Sequence, residues 1–187
     1  LFMVDPTIGR VESVSPASTS ITSAIDVPPG SEVAYGGDVL AIVSPEGQLW
    51  VVPAVGDLQF SSTNPPLVEL GEAGHAVVTR DGVVLAVAPE EGVRYRIESL
   101  VDLPETGEFP QVGEFQLAAV GDRAVALDES TNRLVIDGGP TVELGEHVGL
   151  RLQQTGPAAA FAVVATGGAL LRVALDSGEI TVIDAEV

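Results

Sequence analysis

A hairpin recurs along this chain at a spacing near 40 residues, and that period restricts the possible folds more than any single motif does. Each copy is an apolar strand, a tight polar turn ending in or near glycine, and a second apolar strand. The copies run Asp38–Val43, Ser44–Gly47 and Gln48–Val52; His75–Thr79, Arg80–Gly82 and Val83–Val87; Asp122–Leu127, Asp128–Asn132 and Arg133–Ile136; and Ala159–Val164, Ala165–Gly168 and Ala169–Val173. Their starts lie 37, 47 and 37 residues apart, which matches the roughly 40 residues of a four-stranded propeller blade. A second marker, Val-Glu-Leu-Gly-Glu, follows two of the hairpins at Val68–Glu72 and Val142–Glu146. The opening residues Leu1–Asp5 and Gly9–Val14 also look like the closing ones, Val173–Asp176 and Gly178–Ile183.

These hairpins are apolar on both faces, so each sheet needs a neighbour on either side. The expected fold is therefore an all-β, β-propeller-like repeat of antiparallel blades, about four to five blade equivalents in a ring that need not close; a β-sandwich is the alternative. Residues 1–187 read as one domain, and the apolar start at Leu1 suggests a fragment of a longer chain. No window keeps helical apolar spacing free of Gly, Pro or β-branched runs, so helix content should be very low. The Pro-rich stretches Val27–Gly30, Thr63–Pro66 and Leu103–Pro110 are expected to be connections between strands. The last, extended to Asp102–Gly113, is the long loop expected to carry contacts, because function concentrates in loops on a rigid scaffold.

Hydrophobic residues make up 45% of the chain but aromatic ones only 4%, so the core must be built from Val, Leu, Ala and Ile. Charge is lopsided, with 27 acidic residues against 8 basic ones and a net charge of -19. All the basic residues are arginine. Such a surface repels phosphate backbones and has no basic stripe, which argues against nucleic-acid binding. The longest apolar run, near Ala158–Ala165, is far short of the roughly 20 residues of a membrane helix, so this segment inserts into no membrane as a helix. Cysteine is absent, which removes disulfides, thiolate metal sites and a cysteine nucleophile.

A catalytic site needs a nucleophile or base, a partner in reach and usually a charge stabiliser. The candidates are few. His75 heads a repeat strand and His147 follows the second Val-Glu-Leu-Gly-Glu marker; each is weighed as a base or ligand against the plainer role of a strand-end residue. No nucleophile elbow, dinucleotide fingerprint, phosphate loop or zinc helix occurs. Asp128, Ser130 and Asn132 alternate as calcium ligands do, yet the sixth and twelfth positions of such a loop hold Arg133 and Gly139 instead of Gly and Glu. A hairpin turn is expected there. Ser44–Trp50 is similar to the aspartate box of sialidase-type propellers, but its acid is Glu46 and lies one position too near the aromatic. The sequence thus nominates no catalytic residue, cofactor or metal. Trp50, the only tryptophan, suits core packing or a sugar-stacking platform. Arg94 and Arg96 flank Tyr95 on an alternating strand, which puts two guanidiniums on one face for carboxylate pairing or anion capture.

The runs Leu1–Pro6, Val27–Gly37 and Gly47–Ala54 resemble the N-terminal extracellular region of large actinobacterial surface proteins, which carry a membrane-spanning helix upstream and fibronectin type III or other Ig-like modules downstream. The resemblance implies an exported, membrane-anchored protein whose propeller continues beyond both ends, and it supplies no catalytic residues. Fibronectin modules themselves are absent, because the period is near 40 rather than about 100 residues. The expected role is a non-catalytic binding or scaffold module for a protein or glycan at the cell surface. The competing class is a propeller-type hydrolase or lyase in which a histidine and carboxylates from different blades meet at the central channel.

Overall fold

The structure is a computed structural model, and it describes residues 1–184. Nineteen strands form five antiparallel sheets, and no helix is present among the described residues. None is therefore long and apolar enough to cross a membrane. The first sheet holds β1 (Phe2–Asp5), β2 (Arg10–Ser15) and β3 (Ser20–Asp26). The second holds β4 (Glu32–Gly36), β5 (Val39–Val43), β6 (Gln48–Pro53) and β7 (Val68–Glu69). The third holds β8 (His75–Val78), β9 (Val84–Ala88), β10 (Val93–Ile97) and β11 (Glu105–Glu108). The fourth holds β12 (Phe115–Val120), β13 (Arg123–Asp128), β14 (Arg133–Ile136) and β15 (Thr141–Glu143). The fifth holds β16 (Arg151–Leu152), β17 (Phe161–Ala165), β18 (Ala169–Ala174) and β19 (Ile180–Asp184).

Within every sheet the strands pair in chain order, and the first strands β4, β8, β12 and β16 lie side by side around a central channel. This is the propeller-like arrangement that the period implies, with one correction to its phase. The copy at His75–Val87 is β8 and β9, a first and a second strand, whereas the other three copies are second and third strands. Four apolar clusters sit between successive sheets, as in Val11 and Ile25 against Leu40 and Ile42, or Leu85 and Val87 against Ala124 and Ala126. A middle sheet is thus buried on both faces, which is why β9, Val-Leu-Ala-Val-Ala, has every residue buried. Two sheets folded face to face would leave outer faces wet, so the sandwich alternative does not apply.

One local device recurs and sets the blade. The turn between the second and third strands ends on a residue with left-handed backbone: Gly47 (φ 79), Gly92 (φ 68) and Asn132 (φ 52). Its carbonyl accepts the N–H of the residue just past the outermost strand, at 2.7 Å from Leu70, 2.9 Å from Phe109 and 3.0 Å from Leu144. Each of those three apolar residues is buried, so the bond docks a plug that closes the outer end of the blade. Side-chain burial of this kind contributes on the order of 1.5–3 kcal/mol per plug. Gly9 (φ 67) and Val27 repeat the pattern at 2.7 Å in the first sheet. The three strands β1–β3 therefore correspond to the second, third and fourth strands of the other sheets.

The expectation of a long contact loop at Asp102–Gly113 is corrected here. Glu105–Glu108 is the outermost strand of the third sheet, pairing Val93 with Glu108 and Arg96 with Glu105, and Phe109 is its plug. An edge strand has only one paired side, so it tolerates flanking prolines and polar residues that would exclude an interior strand.

Candidate functional site

Short turns joining first to second strands gather at one end of the channel. They are Gly36–Asp38, Thr79–Gly82, Gly121–Asp122 and the segment around Gly156–Ala158. Glycine lets neighbouring turns touch backbone to backbone. A Cβ on Gly36 would collide with the Thr79 carbonyl, and one on Gly121 would lie 2.8 Å from the Ala158 Cα. The Gly121 N–H also donates to the Gly156 carbonyl at 3.2 Å, and the Gly156 N–H to that of Ala119 at 2.9 Å. The turns of the second and third sheets are thereby closed on each other, as are those of the fourth and fifth sheets.

Between these two closed pairs lies a basin of about 770 Å³, lined by Thr79, Arg80, Asp81, Arg96, Asp122 and Gly156 among others. A second hollow of about 350 Å³ shares Arg80, Gly156 and Pro157 with it and adds Tyr35 from β4, the neighbouring first strand. Arg80 thus stands between the two. It is exposed, and among the described residues no carboxylate lies within ion-pair distance of it. Most other arginines are engaged: Arg10 with Glu12 and Asp26, Arg123 with Asp176, Arg133 with Asp128, and Arg172 over the Phe161 ring at 4.1 Å. Arg151, at the start of β16, likewise has no partner among the described residues.

Arg94 and Arg96 project together toward the fourth sheet, as their alternation implies. Their tasks differ. Arg94 Nε meets Asp137 at 2.7 Å, fastening one sheet to the next; burial pushes the Asp137 carboxyl above its usual range, with Arg94 and Arg123 offsetting part of that. Arg96 donates from Nε to Glu98 at 2.7 Å and from Nη1 to the Asp122 carbonyl at 3.0 Å, and so forms a wall of the basin.

The remaining nominated residues lie elsewhere. His75, Glu32 and Phe115 sit at or beside the starts of neighbouring first strands, at the opposite end of the channel from the basin. There His75 Nδ1 meets Glu32 Oε2 at 2.7 Å, and its ring stands edge-on to Phe115 at 4.9 Å. His147 is half-buried on the connection between β15 and β16, where its backbone carbonyl accepts the Asn132 side-chain amide at 3.1 Å; it shares no hydrogen bond with His75. Trp50 is only 5% exposed. Its indole N–H donates to the Asn64 carbonyl at 3.0 Å and its ring packs edge-on to Phe60, so it is a core residue and presents no platform to solvent. The Asp128–Asn132 segment is a hairpin turn: Asp128 accepts from Ser130, Thr131 and Arg133, so its carboxylate serves the turn's own donors. No group of three or more His, Asp or Glu among the described residues is placed to hold a metal ion.

Sequence reasoning missed Arg80, Asp81, Asp122 and Tyr35. Arg80–Gly82 was legible as a turn of the repeat, and a turn after a first strand must open onto the channel rim, which is the signal that locates them.

No family model matches the sequence, and no curated protein matches it. Solved structures do. In the complex of KlAtg21 with the coiled-coil of AgAtg16, the match has a TM-score of 0.68 at 14% identity over 95% of this chain. AztD from Citrobacter koseri gives 0.52 at 16% over 95%, and virginiamycin B lyase from Staphylococcus aureus gives 0.54 at 11% over the full chain. The chain spans 65%, 56% and 66% of those three chains. At such identities the likeness shows the fold alone.

Proposed function

We propose that this propeller-like domain is a non-catalytic binding module of a cell-surface protein, and that it takes its ligand in the Arg80 basin. The observation that carries the reading is a guanidinium without a partner at the channel rim of a protein with a net charge of -19. Carboxylates are abundant on this chain, so an arginine left unpaired beside a basin offers its donors to something else. Rigid sheets hold the rim, and glycine-closed turns fix its shape. The exported, membrane-anchored setting is supported by the resemblance of Leu1–Pro6, Val27–Gly37 and Gly47–Ala54 to surface proteins. Partners are then a protein or a glycan outside the cell.

The test is a binding screen of glycans, peptidoglycan fragments and proteins against wild type and Arg80→Ala. A ligand captured by the module should lose about tenfold or more in affinity in the variant. Ligands that bind both proteins equally would remove the basin from the reading.

A second reading, a hydrolase or lyase of the propeller type, is favoured by one observation: the His75–Glu32 contact at the other end of the channel. A carboxylate on Nδ1 orients the imidazole and leaves Nε2 for a substrate proton. Turnover of saccharide or ester substrates that falls at least about a hundredfold in His75→Ala would establish it; no turnover by wild type leaves the binding role.

A further inference from the structure

The charges around Arg80 are mixed, and the mixture selects a ligand class. Resting on the binding role proposed for this basin, we infer that it receives an acidic saccharide, a sugar ring carrying a carboxylate. The carboxylate is gripped by Arg80, whose planar fork matches its two oxygens. Arg96 stands beside it, its charge offset by Glu98 and its Nη1 on the Asp122 carbonyl, and fixes the shape of the wall. Asp81 and Asp122 are exposed on the same rim. They repel a doubly charged phosphate monoester more strongly than a single carboxylate, and they accept hydrogen bonds from sugar hydroxyls. Tyr35 is 50% exposed in the adjoining hollow. Its ring, backed by Phe2 at 4.6 Å between centroids, offers an apolar face to sugar C–H groups. One carboxylate, several hydroxyls and an apolar ring face belong together in a uronic acid.

The probes are digalacturonic acid, its dimethyl ester, a sulfated neutral disaccharide and a short peptide with a free terminal carboxylate. Binding is read from amide shifts at Gly36, Gly121 and Gly156 in a two-dimensional NMR titration of the 187-residue chain. Digalacturonic acid should shift these amides, the ester should bind about tenfold more weakly, and Arg80→Gln should weaken the acid to the same degree. Arg151→Gln, remote from the basin, should bind as wild type does. Equal binding of acid and ester, or undiminished binding by Arg80→Gln, would overturn the inference. A response to the sulfated sugar or the peptide alone rejects the saccharide acid and keeps the basin as a binding site. No shift with any probe, alongside a screen that Arg80→Ala does not affect, removes both.

Discussion

Gly47→Ala should lower the unfolding free energy by about 3–5 kcal/mol, the range reached when backbone strain and a displaced hydrogen bond combine. Three causes add. The left-handed φ of 79 costs an alanine about 1–2 kcal/mol. The new Cβ would run into the carbonyl and amide nitrogen of Gly71, backbone atoms that cannot rotate aside. Relieving that collision displaces the strand end, and with it the Leu70 N–H that donates to the Gly47 carbonyl at 2.7 Å. Leu70 is 1% exposed, so loosening it exposes the plug between the second and third sheets. Gly56→Ala separates the terms. Gly56 also has a positive φ, 70, but nothing lies within 4 Å of its Cβ position, so it should lose only the backbone contribution of about 1–2 kcal/mol. Urea denaturation of both variants, followed by Trp50 fluorescence, checks this. Equal losses would mean that the contact with Gly71 contributes nothing.

The same device explains what could be read before the fold was known. Second strands between two sheets are covered on both faces, so β5, β9 and β13 appear in the sequence as apolar runs and recur with the blade, while the copy read from His75 is one strand out of phase because β8 is a first strand. The Val-Glu-Leu-Gly-Glu marker was legible too, because it is an outer strand followed by its plug, Leu70 or Leu144. Glu105–Glu108 was not. A strand with one neighbour and a solvent face needs no apolar alternation, and Pro104 and Pro110 disguised it as a loop. For the site, residue type pointed to Arg94, Arg96 and the histidines, yet what matters is who is left unpaired. Arg94 faces the fourth sheet as its alternation predicts, but its partner Asp137 lies 43 positions away, and Arg80 stands out only once such pairings are settled. Trp50 shows the same limit: alternation places it on a face, and the fold decides whether that face meets a neighbouring sheet.

Asp128→Ala is the second substitution with a large expected effect, about 1.5–3 kcal/mol of lost stability, because it removes the buried, charged acceptor of the turn donors and of Arg133. Asp128 is 1% exposed. Its Oδ1 accepts the Ser130 N–H at 3.0 Å, the Ser130 hydroxyl at 2.6 Å and the Thr131 N–H at 3.1 Å, and Arg133 approaches Oδ2 at 3.3 Å. These bonds shape the turn whose last residue, Asn132, takes the left-handed conformation and receives the Leu144 plug. Burial by itself would raise the carboxyl, but the hydrogen bonds from Ser130, Thr131 and Arg133 outweigh it and hold the group at about 2. An unfolded aspartate titrates near 3.9. The unfolded chain therefore takes up this proton first as pH falls, and the stabilisation, fully present above about pH 4, is lost between there and about pH 2. From that displacement the charged form is worth roughly 2 kcal/mol. Many other carboxylates titrate in the same window, so the informative quantity is the difference between wild type and Asp128→Asn, which keeps an acceptor and the side-chain shape but not the charge. That difference should be largest at pH 5 to 7 and shrink steadily toward pH 2. A gap independent of pH would show that Asp128 shapes its turn as a neutral acceptor, and that Arg133 and the turn amides gain nothing from its charge.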